Sequence, residues 1–168
     1  RYSLSDLYFL NNGELYSLSI LHNNLSFIAS AGPLNQGENI LSAGKDNDNN
    51  GLFHFHAKIG DRLYFSNDDG ITWDDKGELP SYTFSRNSFN GSYDNQNTAA
   101  IGGIDLYRTL NNGNSWERIN NWWEYYGNEA TMLHADIPEV RFFLDPEFNE
   151  VALVSTDGGL YFSNDNLE

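Results

Sequence analysis

Cysteine is absent from this 168-residue chain, and proline (four) and methionine (one) are nearly so. Without cysteine there is no disulfide, and the redox compartment is not indicated either way. Positive charge is also scarce. Nine Lys and Arg stand against 24 Asp and Glu, for a net charge of -15. Nucleic-acid binding depends on basic contacts to phosphate, so this balance argues against it, and equally against anionic membrane surfaces. No apolar run approaches the roughly 20 residues of a membrane span, which argues against insertion. No signal peptide is visible at Arg1, although a processed secreted protein would look the same. Fifteen glycines and many paired asparagines, such as Asn11-Asn12 and Asn120-Asn121, suit turns between short strands, and nothing reads as a disordered linker.

What is present is a repeat. Leu63 to Asp68 reads LYFSND, Leu160 to Asp165 reads LYFSND again, and Leu106 to Asn111 reads LYRTLN, with starts 43 and 54 residues apart. The first copy continues as Asp69-Gly70-Ile71-Thr72-Trp73 and the middle one as Asn112-Gly113-Asn114-Ser115-Trp116. Leu-Tyr-Phe has the alternation and aromatic content of a strand. The Ser, Asp and Asn that follow bond to nearby backbone, and a glycine supplies the positive φ of a turn. The Trp then opens a second strand with a large apolar surface. The unit is a β-hairpin with a self-bonded polar turn.

Ser66 to Trp73 resembles the Asp-box, or BNR repeat, of sialidase-like β-propellers. On that resemblance Ser66, Asp68, Gly70, Thr72 and Trp73 carry the motif. Thr109, Asn111, Gly113, Ser115 and Trp116 form a weaker copy, with Asn111 where the motif has Asp. Ser163 and Asp165 begin a third copy that stops before Gly and Trp. His134-Ala135-Asp136, then 142–146, then 151–161 (VALVSTDGGLY) is similar to a blade of the sortilin-like and xyloglucanase-like propellers. Together the matches span about 40–168, while the first 40 residues share only strand character. The resemblance implies a fold and says little about activity.

Strand candidates fall at 6–10, 14–21, 25–30, 39–43, 52–59, 62–66, 72–74, 98–101, 105–109, 116–119, 140–144, 151–155 and 159–163, with 120–132 open to a short helix or an irregular loop. The expected class is all-β, built from four-stranded antiparallel propeller blades. Blades of about 40–50 residues give three to four of them here, at 1–41, 42–85, 86–130 and 131–168. Since the last hairpin breaks off near Glu168, an incomplete propeller is expected, whose remaining blades come from the same or another chain.

Several clusters could carry chemistry. Asp46, Asp48 and Asn50, followed by Gly51, fit the first half of a calcium loop, but position twelve is Ala57 where Glu is needed. Calcium is thus the one cofactor suggested, against a plain polar turn. Trp122, Trp123, Tyr125 and Tyr126 could form a stacking platform for a sugar or a protein patch, or pack beneath a loop. If this segment is a strand, only one of the two Trp faces outward. His134 and Asp136 share a face of any strand they occupy, as do His54 and His56. For both pairs, metal or acid–base chemistry is weighed against histidines satisfied within the sheet or facing solvent.

Two functional classes remain. One is a non-catalytic propeller for recognition, adhesion or assembly, with a glycan or protein ligand, outside a bacterial cell or on its surface. The other is a glycoside hydrolase using two carboxylates, for which Asp136, Asp157 and Glu124 lie nearest the aromatic segment. A structural subunit of a large surface or virion assembly is a further alternative. A sialidase is disfavoured. Such enzymes clamp the substrate carboxylate with three arginines, and of the six here Arg62 and Arg108 lie in or beside the repeat strands.

Overall fold

A computed structural model describes residues 6–45 and 51–168. The calcium-loop candidates Asp46, Asp48 and Asn50 lie outside the described residues. The chain forms four antiparallel sheets, each a meander in chain order. The first holds β1 (Asp6–Asn11), β2 (Glu14–Ser19) and β3 (Asn24–Ser30). The second holds β4 (Asn39–Gly44), β5 (His54–Ile59), β6 (Arg62–Ser66) and β7 (Asp74–Glu78). The third holds β8 (Phe89–Gly91), β9 (Ala99–Gly102), β10 (Leu106–Thr109) and β11 (Glu117–Arg118). The fourth holds β12 (Glu139–Leu144), β13 (Glu150–Thr156) and β14 (Gly159–Ser163).

These are blades of an incomplete β-propeller. β4 lies beside β8, and β8 beside β12, so first strands follow one another around an axis. The core is three layers between faces rather than one centre. Ala31, Ala57, Ile59 and Tyr64 fill the first layer, and Leu63, Phe89, Ala99 and Ile101 the second. Ala100, Leu106, Ile137, Val140, Ala152 and Val154 fill the third. Small alanines on the middle strands let neighbouring sheets close on larger side chains, which keeps the interior densely packed.

The expectation of four strands per blade holds for the second and third sheets. Among the described residues the first and fourth have three. β8 was not expected from the sequence, because three residues around one buried Phe89 are too short to show a period. β7 starts at Asp74 rather than 72, since Thr72 is held in the turn by Asp68. β4 begins at Asn39, ahead of the expected 41/42 boundary.

The repeat also has a member that its turn sequence does not mark, Leu15-Tyr16 in β2. The pairing of β2 with β3 shifts register between Leu15 and Tyr16, and that of β6 with β7 shifts between Leu63 and Tyr64. Leu15, Leu63 and Leu106 are all buried. β1, β2 and β3 therefore correspond to β5, β6 and β7, and the first sheet has no described counterpart of β4.

The turn after β6 is closed by its own side chains. Ser66 Oγ accepts from the Gly70 amide at 3.1 Å and donates to Asp68 Oδ1 at 2.8 Å. Asp68 accepts from the Thr72 amide at 2.9 Å and from the Thr72 hydroxyl at 2.6 Å, and Trp73 Nε1 donates to the Gly70 carbonyl at 2.8 Å. Partial burial works against the Asp68 charge, but the bonds from Thr72, Ser66 and Ile71 outweigh it and hold the carboxyl below its ordinary range. After β10 the same bonds recur from Thr109, Asn111, Gly113 and Ser115, without the charge. Ser163 and Asp165 begin them again after β14, where Ser163 Oγ accepts from the Leu167 amide at 2.8 Å.

His54 and His56 are fully buried, so the solvent-facing reading of this pair does not hold. Their rings meet edge to face at 5.7 Å. Gly44 and Gly91 leave them room, because a Cβ on either would strike an imidazole. Among the described residues no three His, Cys, Asp or Glu come together as a metal site. Burial, then the neighbouring His54, push the His56 pKa down to about 3.

Two predictions follow from this packing. Gly70 has φ +80°, and a Cβ there would drive into Leu15 Cδ2. Gly70→Ala should therefore cost about 2–4 kcal/mol in urea unfolding, from left-handed strain plus overpacking. An unchanged midpoint would contradict the close approach. For His56, the unfolded chain binds a proton near pH 6.5 that the folded chain refuses until about pH 3. Stability from this group is fully present above pH 6.5 and falls as pH drops from there toward 3, by about 1.4 kcal/mol per unit. His56→Gln should flatten that acid limb by about one proton. Equal slopes for parent and variant would disprove it.

Candidate functional site

Antiparallel connectivity gives the stack two ends. One carries the self-bonded turns together with the first-to-second strand loops, tied by the Phe53 amide donating to Asp69 Oδ1 at 2.8 Å and the Asn112 amide to the Asn97 carbonyl at 3.0 Å. The other carries the second-to-third strand turns and the long connections between sheets, at 79–88 and 119–138. A groove of about 400 Å³ opens at this second end, lined by Tyr82, Phe84, Ile104, Asp136, Pro138 and Asp157.

Glycines set the backbone of the groove. A Cβ on Gly103 would collide with Ser81 Oγ, and one on Gly102 would lie 2.6 Å from the Ile137 carbonyl oxygen. The β9–β10 turn therefore holds both long connections against itself. The Asp136 amide donates to the Ile104 carbonyl at 3.0 Å and the Ile137 amide to the Gly103 carbonyl at 2.8 Å. Ser85 and Ser88 both donate to the Pro138 carbonyl, at 2.6 and 3.0 Å, joining one connection to the other.

Along 82–84 the side chains alternate. Thr83 turns inward and donates to Glu38 Oε2 at 2.9 Å, and Glu38 also pairs with the buried Lys58 at 3.2 Å. Tyr82 and Phe84 are left exposed, their rings edge to face at 5.6 Å. Asp136 takes φ 62°, which turns the chain sharply after Ala135. His134 and Asp136 consequently do not share a strand face. Asp136 lines the groove, while His134 packs on the Asp157-Gly158 turn, where a Cβ on Gly158 would lie 2.7 Å from His134 Cβ. Tyr125 meets His134 edge to face at 4.4 Å.

Of the residues singled out from sequence, Asp136 and Asp157 come together in the groove, and His134 and Tyr125 stand behind Asp157. Glu124 does not line it. Trp122 to Glu124 form one 3-10 turn within the irregular 119–138 connection. Both Trp are exposed there, because the segment is not a strand and has no inward face. Trp122 meets Trp123 at 5.8 Å and Tyr126 at 6.4 Å, and Arg118 lies 5.5 Å over the Trp123 ring. Tyr82, Phe84, Ile104 and Pro138 were not expected. Their signals were Tyr82-Thr83-Phe84 alternation in an otherwise polar connection and the Gly102-Gly103 pair beside it.

The groove offers aromatic ring faces and two carboxylates, and none of its lining residues is basic. Ring faces suit the C–H surfaces of a pyranose, and carboxylates accept hydrogen bonds from hydroxyls. Anionic ligands are disfavoured by these acids and by the overall charge of -15.

No protein-family model and no curated protein sequence matches the chain. Among solved structures the chain is similar to the crystal structure of a GH74 enzyme of Niastella koreensis, with a TM-score of 0.54 and 17% identity, covering 98% of this chain and 27% of that one. The chain thus spans about a quarter of the length of the structure it matches. At this identity the likeness bears on the fold alone.

Proposed function

We propose that this chain is part of an Asp-box propeller that recognises a neutral glycan in the groove between Tyr82, Phe84, Asp136 and Asp157, acting outside the cell or at its surface. The observation that carries the reading is the pairing of two exposed rings with two carboxylates in one groove lined by no cation. Side-chain bonds closing the turns at Ser66 to Trp73 and Thr109 to Ser115 support the Asp-box assignment. The fold likeness to a GH74 enzyme supports a carbohydrate-directed role at the level of architecture. Trp122, Trp123 and Tyr126 extend an exposed aromatic surface along the same end and would widen the footprint for a longer chain of sugars.

A second reading is hydrolysis, favoured by the meeting of Asp136 and Asp157 in the groove, since glycosidases use two carboxylates across the scissile bond. One titration series separates the two. Neutral oligosaccharides, glucan-based ones first, should bind the intact chain. Tyr82→Ala and Phe84→Ala should each weaken binding about tenfold, near 1.4 kcal/mol. Asp136→Asn and Asp157→Asn should keep most of the binding. Release of reducing ends by the parent, lost in either Asn variant, would make the site catalytic. No binding of any neutral glycan, or binding indifferent to Tyr82→Ala, would remove the proposal.

A further inference from the structure

Successive sheets are joined by one repeated seat. Seven residues after each Leu-Tyr leucine stands the residue that packs on the leucine of the preceding sheet. A Cβ on Gly70 would strike Leu15, and one on Gly113 would strike Leu63. Leu167, at φ 66°, takes the same place in the fourth sheet and shares a buried cluster with Leu106. The residue two beyond Leu63 and Leu106 is covered as well. Phe65 is buried, and Arg108 is buried with its guanidinium donating to the Asn166 carbonyl at 2.8 Å.

The fourth sheet breaks the series. Leu15, Leu63 and Leu106 are 0–1% exposed, whereas Leu160 is 69% exposed and Phe162 is 62% exposed. Both sit on the open face of β14, opposite Ser155 and Leu153 of β13, and Phe143 of β12 is exposed nearby. Natural monomers seldom leave such a contiguous apolar patch uncovered.

We propose that the open face around Leu160 and Phe162 is the docking site for the next sheet of this repeat along the polypeptide, which seats its self-bonded turn on Leu160. The three seats already formed carry the inference, because each leucine is capped by the sheet that follows it in the chain. A second copy of this chain fits less well. The first sheet it would present has Ile20-Leu21-His22-Asn23 after β2, a turn without the Ser and Asp whose side chains close the turns at Ser66 and Ser163. Neither Leu160 nor Phe162 lines the groove proposed to bind glycan, so either reading can fail alone.

The test is hydroxyl-radical footprinting of the protein isolated from its own host, with photo-leucine incorporated at position 160 in a parallel sample. Leu160 and Phe162 should be labelled at least about tenfold more slowly than Ile71, which is 65% exposed in a turn of an interior sheet. The photo-crosslink should fall on the self-bonded turn that follows a Leu-Tyr strand in the same polypeptide. Labelling as fast as that of Ile71 would overturn the proposal. So would protection lost on dilution to a monomer, a crosslink to the His22 turn of another molecule, or a crosslink to a peptide without the repeat.

Discussion

Everything in this stack depends on the contact of a leucine with the self-bonded turn of the sheet that follows, made by the glycines Gly70 and Gly113 and by Leu167. Burying a leucine contributes about 1.5–3 kcal/mol, which a small hairpin cannot supply alone. The contact needs a turn held close by a residue at positive φ, which Gly70, Gly113 and Leu167 each supply. The hydrogen bonds within the turn do not drive association. They hold the turn rigid, so that Gly70 and Gly113 present their backbone at a fixed height. The carboxylate at Asp68 makes its turn the stiffer of the two, since bonds to a charged acceptor are about twice as strong as those to the Asn111 amide.

Because the seat is local, the sheets add one at a time, each burying the face of the one before. The interior is therefore a series of layers, and polar residues can be buried wherever a layer leaves space for them. His54 and His56 are the example. Gly44 and Gly91 leave space for their rings, and His56 stays neutral there at the expense of acid stability.

The all-β class and most strands were legible from alternation and turn chemistry. Leu15-Tyr16 was not, because its turn lacks the Ser, Asp and Gly that mark the other copies; only the shared register shift and the seat on Gly70 reveal it. β8 escaped because Phe89 stands alone between polar neighbours. The site was half legible. Asp136 and Asp157 stood out as acids near an aromatic cluster, but local density drew attention to Trp122 and Trp123. The rings that line the groove, Tyr82 and Phe84, lie about forty residues before that Trp pair in sequence. Periodicity assigns residues to faces, and it does not say which loops share an end of the stack.

Strand order supplies that missing step, and the unequal spacing of the repeat points the same way. The self-bonded turns after β6 and β10 share one length and the same bond to their first hydroxyl. The opposite end carries the connections between sheets, which the seat leaves free in length. The connection between Arg118 and Glu139 is longer than that between Glu78 and Phe89, and it brings the Trp pair, Tyr125, His134 and Asp136 with it. An interval of 54 residues beside one of 43 thus marks where the chain has been extended without disturbing the fold. Insertions in a repeat collect on the face that the packing does not constrain, which is where recognition can diversify. The same contact that fixes the architecture therefore leaves the groove end free to vary in length and sequence.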